Sequence, residues 1–168
     1  MVRYGFTLSL ICIVAAGLLA GVNSLTKARI VAQAEAEEEA SLKEVLPEAA
    51  HFEPVKCGND VLYYKAYHKD GKLAGVAFKA AGKGYSSTIE TMAGMLQDGT
   101  ITAIKILSQN ETPGLGAQVA EQKFSSQFAR QKDLSNIQAI TGATISSKAV
   151  IDSVKEKAEE IHKLLKNE

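Results

Sequence analysis

STIETMAGMLQDGTITAIKIL, residues Ser87–Leu107, decides the fold. Two apolar runs, Ser87–Leu96 and Thr100–Leu107, flank the dipeptide Asp98-Gly99. Asp-Gly between alternating segments is the strongest short-range hairpin signal, because glycine takes up the positive φ of the turn without a Cβ clash. In the second run Ile104 and Ile106 point one way while Lys105 and Leu107 point the other, the period of a half-buried strand. Just upstream the pattern repeats, with Val61–His68 and Lys72–Ala80 flanking Asp70-Gly71. Two successive hairpins predict an antiparallel sheet.

Downstream, the spacing predicts two helices. Ala117–Arg130 carries Val119, Ala120, Phe124 and Phe128 for one apolar face. The last segment carries Ile151, Val154, Ala158, Ile161 and Leu165, a 3-4-3-4 stripe, with Lys155, Glu156, Glu159 and Lys163 on its solvated faces. The class is α+β, an antiparallel sheet flanked by helices. Cys57, in the run Val55–Asn59, reads as part of a connecting loop.

Upstream of the sheet lies a different kind of sequence. Tyr4–Val22 is YGFTLSLICIVAAGLLAGV, 19 residues without a charge. That length matches the roughly 30 Å hydrocarbon core of a bilayer. A cleaved secretory signal, with its shorter apolar region of about 7–15 residues, is the alternative, and Val22-Asn23-Ser24 offers it a weak small-residue site. We read a permanent transmembrane helix. Arg3 on one side and Lys27 and Arg29 on the other leave the positive-inside rule nearly neutral. From Ala28 to Leu46 the chain is rich in Ala, Glu and Leu, with Pro47 as the stop, which predicts a helix. The expected organisation is an anchor over 1–25, a juxtamembrane helix over 26–47 and one domain over 48–168.

Composition removes several classes of function. Nineteen basic and nineteen acidic residues give no net charge, so a field that attracts nucleic acid is absent. Two cysteines, Cys12 and Cys57, are too few for a four-thiolate cluster or an all-cysteine zinc site. His51, His68 and His162 are spaced without pattern, and no metal site is expected. No nucleophile–base pair is evident, so no catalytic residue is named. A redox role would need an organic cofactor.

Two short runs fit no regular element. Glu111-Thr112-Pro113-Gly114-Leu115-Gly116 follows the last strand, and two glycines with a proline describe a tight loop that a ligand can approach closely. Thr141-Gly142-Ala143-Thr144 precedes the final helix, where small residues leave room and free N–H groups favour a phosphate. On the residues alone, the first reads more simply as a plain strand-to-helix connection. The second, taken in isolation, reads more simply as a helix cap by Thr141, Thr144 or Ser146.

In order along the chain come an apolar span, an Ala-rich helix ending in KEVLP (Lys43–Pro47), GYSSTIE (Gly84–Glu90), ETPGLG (Glu111–Gly116) and AITGATISS (Ala139–Ser147). The set resembles the G subunit of the Rnf electron-transport complex. That protein shares an FMN-binding domain with the C subunit of the sodium-pumping NADH:quinone oxidoreductase. The resemblance covers nearly the whole chain, and its length favours the Rnf protein. It implies a membrane-anchored electron carrier in a ferredoxin:NAD oxidoreductase complex, with other Rnf subunits as partners. It implies FMN held covalently through a phosphoester to Thr144 of the Thr141-Gly142-Ala143-Thr144 motif, attached by a flavin transferase that uses FAD. Glu111, Thr112, Gly114, Leu115 and Gly116 become candidate flavin contacts, with Lys132 as a nearby basic group. The domain would lie on the outer, periplasmic side of the inner membrane. Relatives usually carry Asp three residues before the motif, where this chain has Gln138. The C-subunit relative and a non-redox, membrane-tethered binding module stand as alternatives.

Overall fold

In the computed structural model, which describes residues 2–58 and 60–166, the chain divides into two compact units, Met1–Glu38 and Glu39–Glu168. The described residues of the first unit are all helical and hold Thr7–Lys27, 21 residues with a mean hydropathy of 2.1 and long enough to cross a membrane. The stretches expected as an anchor and a separate juxtamembrane helix form one element, α1 (Val2–Val45). No glycine–proline break lies between them, and the three glycines of the apolar run are tolerated inside the helix.

The second unit is built on five antiparallel strands in the order of the chain: β1 (His51–Cys57), β2 (Asp60–Tyr67), β3 (Leu73–Lys83), β4 (Thr88–Met95) and β5 (Ile101–Ser108). Both Asp-Gly turns form as expected. Gly71 and Gly99 have φ of 77° and 88°, and in each turn the preceding Asp accepts from the backbone N–H two residues on. Phe78 of β3 stands opposite Ala93 of β4, and Ala93 opposite Ile104 of β5.

Strand β1 corrects the sequence reading, which left residues 51–57 out of the sheet. HFEPVKC alternates weakly and carries Pro54 at its centre. Proline is admitted here because β1 is an edge strand, where a missing N–H breaks no ladder. Cys57 is accordingly the last residue of a strand, opposite Asp60, and not part of a loop.

Each sheet face has its own core. On one side Phe78, Ile89, Met95 and Ile104 pack with Phe124, Phe128, Val150, Val154 and Ile161 from the C-terminal half. On the other, Leu42, Val45 and Leu46 at the end of α1 and just beyond it cover Ala66, Ala77 and Met92. Thr102 donates its hydroxyl to the Val45 carbonyl at 2.6 Å, and Lys105 pairs with Glu44. The last turn of α1 is therefore part of the domain.

The predicted helix over 117–130 is not one helix. It divides into a 3-10 turn at Gly116–Ala120, a single α turn, α2 (Gln122–Ser125), and a second 3-10 turn at Ser126–Phe128. Val119 and Phe124 are five residues apart, about 140° out of phase on a continuous helix. An extended Glu121, with ψ of 146°, resets the phase so that both reach the core. Phe124 and Phe128 then meet edge to face, with ring centroids 5.5 Å apart. Ala120, expected on the apolar face, is exposed.

The final helix, α3 (Thr144–Lys166), follows its stripe closely, with Val150, Val154, Ala158 and Ile161 buried and Ile151 half-buried. It lies tight on β3, where Gly82 faces the Ala149 carbonyl with no room for a Cβ. Helix α3 therefore begins at one end of the sheet and carries its stripe along to the other.

Candidate functional site

At the end of the sheet where β4 begins and β5 stops, three segments enclose a cleft of about 400 Å³. One wall comes from Tyr85, in the turn between β3 and β4. A second comes from the loop after β5, through Glu111, Thr112, Leu115 and Gly116. The third is the start of α3 with its approach, Gly142 to Ser146. The two irregular runs singled out in the sequence thus face each other across one space. A volume of this size is in the range of small-molecule sites.

Thr144 is the first residue of α3, and it is exposed. Neither its hydroxyl nor that of Thr141 has a hydrogen-bond partner among the described residues, so neither caps the helix. The hydroxyl expected to act as cap at Ser146 donates instead to Glu111 Oε2, at 2.6 Å. Ser147 does the local work: its Oγ donates to the Ala143 carbonyl at 2.9 Å and accepts from Ile140 N–H at 3.0 Å, fixing the approach to the helix. Gly142 has φ of 83°, a conformation glycine adopts without strain, and turns the chain sharply into α3.

Glu111 is the most heavily bonded side chain of the site. Only 5% exposed, it accepts from three successive amides: Tyr85 N–H on Oε2 at 3.1 Å, and Ser86 and Ser87 N–H on Oε1 at 3.0 and 2.9 Å. The Ser87 hydroxyl also donates to Oε1, at 3.2 Å, while accepting from Asn110 N–H. Burial pushes the Glu111 carboxyl up, but the Ser146 hydroxyl and the amides of Ser87, Ser86 and Tyr85 outweigh it and bring it from 4.5 to about 2. Gly84 and Gly116 flank the carboxylate. A Cβ on either would stand 2.7 Å from one of its oxygens.

The rim is apolar. Tyr85 is 72% exposed, Ile145 55% and Leu115 48%, which makes half of the domain's large exposed apolar side chains neighbours of this one cleft among the described residues. Tyr85, Ile145 and Ser146 were missed by the sequence reading. The GYSS run was visible, but only the register of β4 shows that its turn faces the later loops.

Not every expected residue is here. Gly114, with φ of 75°, shapes the loop from outside the lining. Thr141 opens onto a neighbouring groove with Gln118, Gln127 and Gln138. Lys132 lines a groove of about 270 Å³ at the opposite end of the sheet, with Asp98, Gly99 and His162, and does not join the cleft. The sequence order that set it between Phe128 and the motif says nothing of which end the chain has reached. Gln138 is exposed, and its backbone is held at both N–H and C=O by the Gln127 side chain, at 2.9 and 3.3 Å.

The residues fit a flavin nucleotide. An unbonded hydroxyl stands at the amino end of a 23-residue helix, whose partial positive charge and free N–H groups favour a phosphate. An apolar rim of Tyr85, Leu115 and Ile145 suits a planar ring system.

Comparison with known proteins points the same way. The FMN-binding domain family model matches residues 84–159, which include every segment of the cleft. A second model, the RnfG N-terminal region, matches residues 1–45. The G subunit of the ion-translocating oxidoreductase complex of Methanosarcina acetivorans is 39% identical, over 88% of this chain and 87% of that protein. The G subunit of the proton-translocating ferredoxin:NAD(+) oxidoreductase complex of Clostridium ljungdahlii is 32% identical, over 92% and 88%. Among solved structures, NqrC of Shewanella oneidensis superposes with a TM-score of 0.56 at 19% identity, over 74% of each chain, a likeness of fold.

Proposed function

Since the chain belongs to the G-subunit family of ion-translocating oxidoreductase complexes and carries its FMN-binding domain, we propose that it holds FMN as a phosphoester on Thr144 and relays electrons within an Rnf-type ferredoxin:NAD oxidoreductase complex. The observation that carries this reading is the Thr144 hydroxyl: exposed, unbonded and first in α3, at the mouth of an apolar-rimmed cleft. Bound flavin supplies the one- and two-electron chemistry that no side chain here provides. The chain's own residues do the rest. Thr144 Oγ1 is the tether, and the start of α3 stabilises phosphate charge. Tyr85, Thr112, Leu115 and Gly116 give the ring a partly dry wall. A tether through phosphate leaves the ring unmodified, so its potential stays open to tuning by these contacts.

Attachment calls for a flavin transferase with FAD as donor. Thr144 Oγ1 would take up the flavin-bearing phosphoryl group, gaining one P–O bond and giving up its proton while the P–O bond to AMP is broken and AMP leaves. Partners are the other proteins of the complex and the membrane itself. α1 supplies one candidate span, and we place the domain from Glu39 onward on the outer face.

Thr144→Val tests the tether. The variant folds but shows no fluorescent band after denaturing electrophoresis, while the native chain from its own host does; covalent flavin in the variant refutes the assignment. Protease added to intact spheroplasts digests the domain if it is outside, and protection places it inside.

A further inference from the structure

The Glu111 carboxylate sits on the cleft wall but has no acceptor capacity left for a ligand. A carboxylate offers about four lone-pair sites. Five donors already converge on this one: the amides of Tyr85, Ser86 and Ser87 and the hydroxyls of Ser87 and Ser146. The donors belong to the β3–β4 turn and to the first turn of α3, 24 to 35 residues away in sequence. The missing Cβ atoms of Gly84 and Gly116 leave room for the group in this seat: one on either would stand 2.7 Å from a carboxylate oxygen.

We propose that Glu111 is a positioning residue: its carboxylate fills an anion nest made by the Tyr85–Ser87 amides, locks the walls of the cleft together before any cofactor arrives, and does not itself bind the cofactor. Three successive N–H groups pointing at one spot form a concavity that takes anions in general. Left empty, that nest would compete for a phosphate with the amino end of α3. By filling it from within, the chain leaves the end of α3 as the one place at the cleft where phosphate charge is favoured. The part of this that concerns the cofactor rests on the reading of the cleft as the FMN site; the part that concerns the walls does not.

The test uses the full chain in detergent without flavin, and hydrogen exchange at Tyr85, Ser86 and Ser87. In Glu111→Ala these three amides exchange at least tenfold faster than in the native chain, and formate restores slow exchange where chloride at equal ionic strength does not. Glu111→Gln, which keeps the shape and loses the charge, lies between the two and serves if the alanine variant fails to fold. Unchanged exchange in both variants, or a glutamine variant indistinguishable from native, overturns the proposal. So does acceleration in Glu111→Ala that formate does not reverse. In flavin-loaded protein, a shift of the flavin spectrum in Glu111→Gln with unchanged amide exchange would show direct contact and also overturn it. The exchange measurements need no flavin, so failure of the FMN reading leaves them interpretable.

Discussion

Ser146 Oγ donates to Glu111 Oε2 across 2.6 Å, joining the first turn of α3 to the loop after β5 over 35 residues of chain. A short hydrogen bond to a carboxylate is charge-assisted and about twice as strong as a neutral one. Much of the geometry of the cleft depends on Glu111 staying ionised.

That dependence has a pH signature. The Glu111 carboxyl falls from 4.5 to about 2 on folding, so its contribution is fully present above pH 4.5 and is lost as pH drops toward 2. Asp98 and Asp133, lowered by the turn amides of Thr100 and Ser135, add to the same acid slope. Thermal melts should show the native domain losing stability across that window. Glu111→Gln should be less stable at pH 7 by about 2–4 kcal/mol and flatter with pH, retaining only the slope of the other carboxylates. Equal slopes in the two proteins would show that Glu111 is not the dominant titrating group.

Gly116→Ala places a methyl 2.7 Å from both Glu111 Oε2 and Ser146 Oγ. Overpacking of this kind costs about 1–3 kcal/mol. Chemical denaturation should show that loss with an unchanged m-value. A neutral result would mean that the carboxylate can shift, against its five-donor seat.

The end of α1 belongs to the domain. A fragment from Glu39 keeps Leu42, Val45 and Leu46 over the second face of the sheet, and should unfold at the same denaturant concentration as the domain of the full chain. A fragment from Glu48 loses those three side chains, at roughly 2 kcal/mol each, from a domain whose total stability is typically 5–15 kcal/mol. It should be largely unfolded or strongly destabilised by circular dichroism. Similar stability of the two fragments would show that this face needs no cover.

Gln138→Asp changes an exposed side chain and leaves the two backbone bonds to Gln127 in place. Stability should stay within about 0.5 kcal/mol of native. With a transferase whose own substrates carry Asp at this position, labelling of Thr144 should be faster. Time courses of covalent fluorescence with that enzyme and with the cognate one decide whether position 138 is read at all.

The hairpins and α3 were legible in the sequence because their signals are local: Asp-Gly for a turn, a 3-4-3-4 stripe for a helix. Strand β1 was hidden by Pro54, which is tolerated only because nothing pairs beyond that edge, and edge position is a property of the finished sheet. The 117–130 segment misled because its apolar residues share a core without sharing one helical face, the extended Glu121 making up the difference. At the cleft, the two irregular loops could be picked out by composition. Tyr85 could not, since its place there follows from the register of β4. Nor could the five donors on Glu111, which come together only in three dimensions. Lys132 was assigned by order along the chain, which does not distinguish the two ends of a sheet.

The strand order β1-β2-β3-β4-β5 has a bearing on biogenesis. Each strand after β1 pairs with the one synthesised just before it, so the sheet can zip together as the chain emerges, with short loops to close at each step. The Glu111 loop and α3 follow the sheet, and α3 packs on β3, a strand that ends at Lys83, 61 residues before α3 begins at Thr144. Thr144 therefore reaches its place only once the strands under α3 have been made. A modifying enzyme that recognises the settled start of α3 would in effect inspect a finished product, and an incompletely folded chain would pass by unlabelled.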